Sequence, residues 1–449
     1  MKTFKTLAIS ALALSAAAIA DAQTTIRIVA SNGDRNATQT AISKILSGWT
    51  YQGINGHTAA GGNLSVATGS NFGAWKGTYA GQQVIVKTSY SGALAGIAAV
   101  AGKIPQRFVT TDGSGTGPVP NPLTSDDFES STADFGFSTN FQSTSPFNGD
   151  FEGVTYSPVS EEIVGVSPLG FYASPGFPGS PSNPRPGYVP NITTALARQL
   201  YETGSVRLAQ FTGDWVNDRN KIVYAINRNT DAGQRFGALL EIGFTTSSQV
   251  QAWYPNPANF LSPPQEKNGI TYGATVGRHE PWPVSVQPGT FAVPLGSGGY
   301  STGANLAAAL TYILGPEAYK GRYLNEENQE EFLYPDAVAG YYVGYLTPGD
   351  ANNRVLGANN DLPEEFRGVA LRYNGVENTT ENVRNGTYTV WLYNRILKPQ
   401  TGLTGLQLQF ANALRDQIST VDAPAGGGLF DDANMRVERS TDGGLVTPK

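Results

Sequence analysis

The 449-residue chain contains no cysteine. Neither a disulfide framework nor a lipid-anchored cysteine is therefore available to it. It has only two histidines, His57 and His279, too far apart to suggest a metal-ligand spacing. Charged residues make up 15% of the sequence and leave a formal charge of −6. That balance argues against nucleic acid or an anionic membrane as partner, and leaves room for a local anion site. After the N-terminal segment there is no run of about 20 apolar residues, and no repeat of fixed period stands out. The composition is instead rich in turn formers, with 53 glycines and 28 prolines, which implies long loops. At 40% hydrophobic residues the chain still reads as globular rather than disordered.

The first 22 residues read as a secretory signal. Lys2 and Lys5 form a positive start, Leu7 to Ala20 is apolar, and Ala20-Asp21-Ala22 fits a small-x-small cleavage site before Gln23. The expectation is an exported protein, most simply periplasmic, with release into the medium as the alternative. What remains is long enough for two or three domains.

Strand-like and helix-like segments then alternate. Thr25–Ala30 alternates as a strand, Ser31 to Asn36 is a turn, and Ala37–Leu46 has helical spacing. Residues 52–81 are polar and glycine-rich, an expected loop or hairpin insertion. Gln83–Ser89 is a second strand, and Ser91-Gly92 opens a small-residue helix through Ala101. Two such units in succession begin an α/β domain. Residues 110–127 and 175–190 are turn-rich insertions. Ala133–Ser138, Glu162–Leu169, Ala339–Tyr345 and Thr387–Leu392 read as strands. Asn191 or Thr193 caps a helix that stops at Gly204. Ala304–Leu314 and Leu403–Ile418 have helical character, and residues 422–449 look like a polar tail.

The segment Ile222–Phe244 is the most informative. A strand leads into Asn227-Arg228-Asn229-Thr230-Asp231-Ala232-Gly233-Gln234-Arg235 and then the apolar run Phe236–Leu240. An arginine and small residues before a helix suit anion capture. The first N–H groups of a helix lack intrahelical partners, its dipole favours negative charge, and arginine adds a bidentate fork.

In their order, these elements resemble the phosphate-binding proteins of ABC transporters, within the periplasmic binding protein type 2 superfamily. The matching segments are Ile28–Arg35, Ser89-Tyr90-Ser91-Gly92, Asp134-Phe135-Gly136-Phe137-Ser138-Thr139, Ile163–Tyr172, Asn191-Ile192-Thr193, Arg228–Gln234, Gly296–Gly303 and Ala339–Val343. The resemblance spans roughly residues 25–420 with large insertions. It implies an α/β, two-lobed fold with a ligand cleft between the lobes. The first lobe would comprise residues 23–165 and 347–449, and the second 166–346. It further implies capture of inorganic phosphate or a related oxyanion, a membrane permease as partner, a monomer, and no cofactor, metal or catalysis. The ligand-binding residues would be Ser31, Asn32, Ser91, Gly92, Ser138, Thr139, Arg228, Gly233 and Gln234.

The chain departs from that family in the site itself. Ala232 and Gln234 stand where the family has hydroxyls, and Thr139 stands where it has an aspartate that accepts a phosphate proton. The case for phosphate over sulfate weakens accordingly, because only a protonated oxyanion can donate to a buried acceptor. Asp34 is unexpected beside an anion unless it pairs with Arg35 or receives a ligand proton. Asp112-Gly113-Ser114-Gly115-Thr116 spells part of the anion loop, but Pro118, Pro120 and Pro122 follow and make it a surface loop. Structural readings stand beside the binding ones: a salt bridge to Asp231 for Arg228, a helix cap for Ser91, a turn for Ser31 and Asn32, strand-end capping for Ser138 to Asn140. Glu161-Glu162, Glu326-Glu327 and Glu330-Glu331 read as solvated acids rather than a glycosidase pair. An interaction protein on the same fold is the main alternative. A secreted hydrolase is the weakest reading, since no nucleophile–base motif stands out.

Overall fold

Ile26 and Ile28 in Thr24–Ala30, and Val84 and Val86 in Gln82–Tyr90, are buried at alternate positions of two strands that pair in parallel. These strands form the centre of an eight-stranded sheet in a computed structural model. The structure describes residues 23–120, 125–245, 248–283, 295–325, 327–426 and 429–449. The signal segment lies outside the described residues. Along the sheet the strands run Val159–Pro168, Trp391–Pro399, Phe135–Ser138, Thr24–Ala30, Gln82–Tyr90, Phe72–Tyr79, Ser47–Gly53 and Gly56–Ala59. The glycine-rich stretch after residue 52 is thus a sheet extension. Tyr51 and Trp75 are fully buried in it, with ring centroids 4.8 Å apart.

A second sheet of six strands has the order Asn191–Ile192, Val369–Tyr373, Gly170–Ala173, Ala339–Leu346, Lys221–Ala225 and Ser205–Arg207. The chain passes from the first sheet to the second between Pro168 and Gly170. The return lies later than the boundary expected at 347. Val369–Tyr373 pairs antiparallel with Phe171–Ala173, and the Phe171 and Tyr373 rings stack at 5.8 Å. Apolar pairing with a strand about 200 residues earlier holds this segment in the second lobe. The chain re-enters the first sheet only at Trp391.

Local signals held where they were strongest. Thr193 caps the helix Thr194–Thr203 by accepting from the Leu196 amide, and Gly204 ends it at φ 79°. The helix expected over Ala304–Leu314 is shorter, Gly303–Ala309, because Ile313-Leu314 pairs with Thr275-Val276. No helix among the described residues is long and apolar enough to cross a membrane.

The C-terminal segment is not a solvated tail. Met435 and Val437 are buried against the core. Arg439 pairs with Glu241 at 3.0 Å and lies 4.2 Å from the Trp391 ring centroid. Asp442 accepts hydrogen bonds from the Phe141 amide at 2.8 Å and the Thr144 hydroxyl at 2.5 Å. The segment therefore grips the loop after a strand of the first sheet and the helix Gly233–Glu241 after a strand of the second. Arg439→Ala would leave Glu241 buried without its cation, a loss of about 3–5 kcal/mol for a buried pair. Urea denaturation checks this. A loss below about 1 kcal/mol would show that the ion pair contributes no more than an exposed one.

Candidate functional site

Four loops leave the C-terminal ends of strands that have parallel neighbours: Thr24–Ala30, Gln82–Tyr90, Phe135–Ser138 and Lys221–Ala225. In open α/β sheets that edge is where ligands are held. Three of the loops lead into helices, α1 (Arg35–Ile45), α2 (Ala93–Ala101) and α3 (Gly233–Glu241). The residues before them, Asp34, Gly92 and Ala232, provide no side-chain cap. Elsewhere Thr193, Thr302, Thr347 and Thr379 do cap their helices. At α1 the Asp34 and Arg35 amides already donate to the Ser31 and Asn32 carbonyls, so the first turns of α2 and α3 are left to offer their amides and positive dipole ends to whatever lies between them.

These two helix starts and the loop before α1 meet at one small cavity of about 20 Å³. Ser31, Asn32, Ser91, Gly92, Thr139, Arg228, Gly233 and Gln234 all line it. Ser138 does not; its hydroxyl accepts from the Asn140 amide at 3.1 Å, which is the strand-end role. Close backbone approach explains two of the glycines. A Cβ on Gly233 would stand 2.0 Å from Thr139 Oγ1 and 2.6 Å from Ala93 Cβ, and one on Gly92 would stand 2.4 Å from the Asp231 carbonyl oxygen. Both contacts join loops of the first sheet to the loop of the second sheet that leads into α3, so the two sets of loops meet at the cavity. On its outer side the cavity adjoins a wider cleft of about 580 Å³ that shares Asn32, Gly33, Arg228 and Gln234, with Arg35, Asp350 and Arg354 along its walls.

Arg228 is 4% exposed. Its Nε donates to the Tyr300 carbonyl at 3.0 Å, Nη1 to Gln234 Oε1 at 2.5 Å and Nη2 to the Ser301 carbonyl at 3.2 Å. All three acceptors are neutral. No carboxylate pairs with Arg228 among the described residues, so the salt bridge to Asp231 does not form. Burial pushes the Arg228 guanidinium below its ordinary value, partly opposed by Tyr345 and Asp350. Behind it, Arg235 is also buried and donates to the carbonyls of Arg228 at 3.0 Å and Ser297 at 2.6 Å. Arg235 fixes the loop, and Gln234 aims the guanidinium. An arrangement of amides, dipole ends and an unneutralised arginine stabilises an anion.

Asp34 does not pair with Arg35. The Arg35 guanidinium instead reaches the Thr68 carbonyl at 2.8 Å, Asn32 Oδ1 at 3.3 Å and the Asn71 side chain. Asp34 is 1% exposed. It accepts a short hydrogen bond from the Ser31 hydroxyl and another from Asn394 Nδ2 at 2.5 Å. Burial raises its carboxyl from 3.8 to about 6, against the opposing effects of Asn394, Ser31 and Arg395. Sequence reasoning flagged Asp34 and could not find Asn394, which lies 360 residues away and is brought in by the strand Trp391–Pro399.

Other flagged groups lie elsewhere. Asp112 pairs with Lys76 at 2.6 Å and accepts from Ser114, a self-contained turn on the first sheet. His279 is buried against Trp253 and Tyr224, bonded to the Tyr342 hydroxyl at 2.9 Å, and burial lowers it to about 3. Glu161 faces Arg395, Glu162 faces Lys398 and Arg415, and Glu330 faces Arg278 and Arg322. These acids are ion-pair partners.

No protein-family model and no curated protein matches the chain. Solved structures similar to it include one described as a phosphate ABC transporter substrate-binding protein with bound phosphate, from Clostridium perfringens. It shows 11% identity and a TM-score of 0.41, covering 91% of this chain and 99% of that one. An ABC-type phosphate transport receptor from Vibrio cholerae has 11% identity and a TM-score of 0.41, over 90% and 99% of the two chains. PstS from Borrelia burgdorferi has 11% identity and a TM-score of 0.35, over 91% and 99%.

The Asp34 carboxyl links stability to pH. Between 3.8 and about 6 the folded chain holds this proton and the unfolded chain has released it. Stability therefore falls as pH rises through that window. Melting curves from pH 4 to 8 should show wild type losing up to about 3 kcal/mol relative to Asp34→Asn across it. Parallel curves for the two proteins would contradict the assignment.

Proposed function

We propose that this chain is an exported solute-binding protein that captures a tetrahedral oxyanion, inorganic phosphate first, between two α/β lobes. One observation carries the reading: buried, carboxylate-free Arg228 meets the uncapped N-termini of α2 and α3 and the loop before α1 at a single small cavity. The first lobe would be residues 23–168 with the segment from Trp391 onward, and the second would begin at Gly170. Ser31, Asn32, Ser91, Gly92, Thr139, Arg228, Gly233 and Gln234 form the ligand shell, and Ser138 shapes it from behind. The task is binding rather than catalysis. Among the described residues lining the cavity there is no histidine, lysine or carboxylate, and Asp34 reaches it only through the Ser31 hydroxyl. A monomer would close over the ion by hinge motion at the crossing strands. It would then present the closed surface to the membrane permease of an ABC transporter from the periplasm.

A second reading, an interaction protein on this fold, draws support from the C-terminal segment. Asp442 and Arg439 tie the two lobes together and so oppose opening.

Isothermal titration of protein unfolded and refolded to strip bound ions separates the two. The transport reading expects micromolar or tighter phosphate binding, lost in Arg228→Ala. At a thousandfold excess over the dissociation constant, phosphate should add about 4 kcal/mol of stability. Silence toward both phosphate and sulfate would favour the interaction protein.

A further inference from the structure

The cavity is built almost wholly from donors. Helix amides and the Arg228 guanidinium point charge toward an anion, and Gln234 Oε1 is occupied by Arg228. The Asn140 amide group donates to the Gly233 carbonyl at 3.4 Å, and the Thr139 hydroxyl has only a long contact to Asn140 Oδ1, also 3.4 Å. Contacts of that length yield readily to a ligand oxygen.

Ser31 is the exception. It lines the cavity, is 4% exposed, and gives its hydroxyl proton to Asp34 Oδ2. The Asp34 amide donates back to Ser31 Oγ at 3.2 Å. A hydroxyl oxygen has one proton and two lone pairs. With the proton committed to a carboxylate and one lone pair taken by an amide, what Ser31 can still offer is a single acceptor. Asn394 Nδ2 holds the far carboxylate oxygen, so Asp34 cannot turn its proton-accepting edge away.

We propose that Ser31 and Asp34 together form the acceptor that makes this site select a protonated tetrahedral oxyanion. The ligand's own hydroxyl donates to Ser31 Oγ, whose proton is held by Asp34. Phosphate carries such a hydroxyl at neutral and mildly alkaline pH. Sulfate carries none and would set an oxygen lone pair against that of Ser31. A site that leaves a buried acceptor unpaired, or opposes two acceptors, rejects the wrong ligand far more strongly than a misfit of shape does. The inference rests on the oxyanion reading and adds which residues choose among oxyanions.

The charged and titratable groups facing Asp34 are Arg395, from the strand Trp391–Pro399, and Tyr90, from Gln82–Tyr90. Burial lowers Arg395 only to about 10 and raises Tyr90 further above its ordinary value. Both keep their charge state between pH 5 and 8, and Asp34 is the group that changes. Once protonated, Asp34 can donate to Ser31, which frees the serine proton for the cavity.

Competition titrations with inorganic phosphate and sulfate at pH 8 test this on the full chain. Wild type should prefer phosphate. In Asp34→Asn the new amide turns its oxygen to Asn394 and its NH2 to Ser31, so the serine donates inward. The phosphate-to-sulfate ratio should fall by on the order of tenfold or more. Ser31→Ala, which removes the acceptor without touching Asp34, should lower the ratio in the same direction. Wild type should itself lose selectivity from pH 8 to pH 5. Phosphate binding with an unchanged ratio in both variants overturns this inference alone. No binding of either anion by folded wild type overturns it together with the oxyanion reading.

Discussion

A buried guanidinium without a carboxylate is the constraint from which the rest of the site follows. Taking an arginine out of water is costly unless its charge is met. Arg228 has its N–H groups met by Tyr300, Ser301 and Gln234, which satisfies geometry and leaves the charge. Arg235, equally buried on neutral carbonyls, adds a second positive charge behind the first. The fold places Arg228 in the loop before α3 and Arg235 in its first turn, and brings the start of α2 to the same cavity. In a chain of net charge −6 this is a local inversion of sign. Surface acids more than about 10 Å away do little to cancel it at physiological salt.

Such a field must be held in place, and loops from the two sheets do this through backbone contact. Gly92 and Gly233 allow the first-lobe loops to sit directly on the α3 loop. Side chains there would hold the loops apart and let water into the cavity, where the same charges would be screened. The C-terminal segment adds a second constraint on the opposite side of α3. Through Arg439 and Glu241 it fixes the end of the helix whose beginning carries Gly233 and Gln234. Both ends of one helix are thus fixed, one by the C-terminal segment and the other at the cavity.

Much of this was legible in the sequence because the signals are local. Small residues after strands mark where helices start: Gly92-Ala93 does so at the start of α2, while α3 begins at Gly233, three residues before the apolar run at Phe236. Arg228 stood out by its place in such a loop. Failures came where distant segments decide. Val369–Tyr373 belongs to the second sheet through partners at Phe171–Ala173, and no local pattern announces that pairing. The C-terminal segment reads as solvated because it is rich in charge, yet Asp431, Arg439 and Asp442 are buried and matched with Arg384, Glu241 and Phe141. Charge composition reports polarity, and only tertiary contact reports whether the polarity is paired.

The same distinction bears on Asp34. Next to an anion site its charge looks like a defect in the sequence. In the structure it is walled off by the Ser31 hydroxyl, fixed by Asn394 and balanced by Arg395. It meets the cavity only through a serine oxygen. Under the proposed reading, a carboxylate one hydroxyl away from the ligand would take up a ligand proton's partial charge without presenting its own full charge to the anion. Under the proposed oxyanion reading, the acid present at Asp34 and the hydroxyl at Thr139 would be parts of one arrangement.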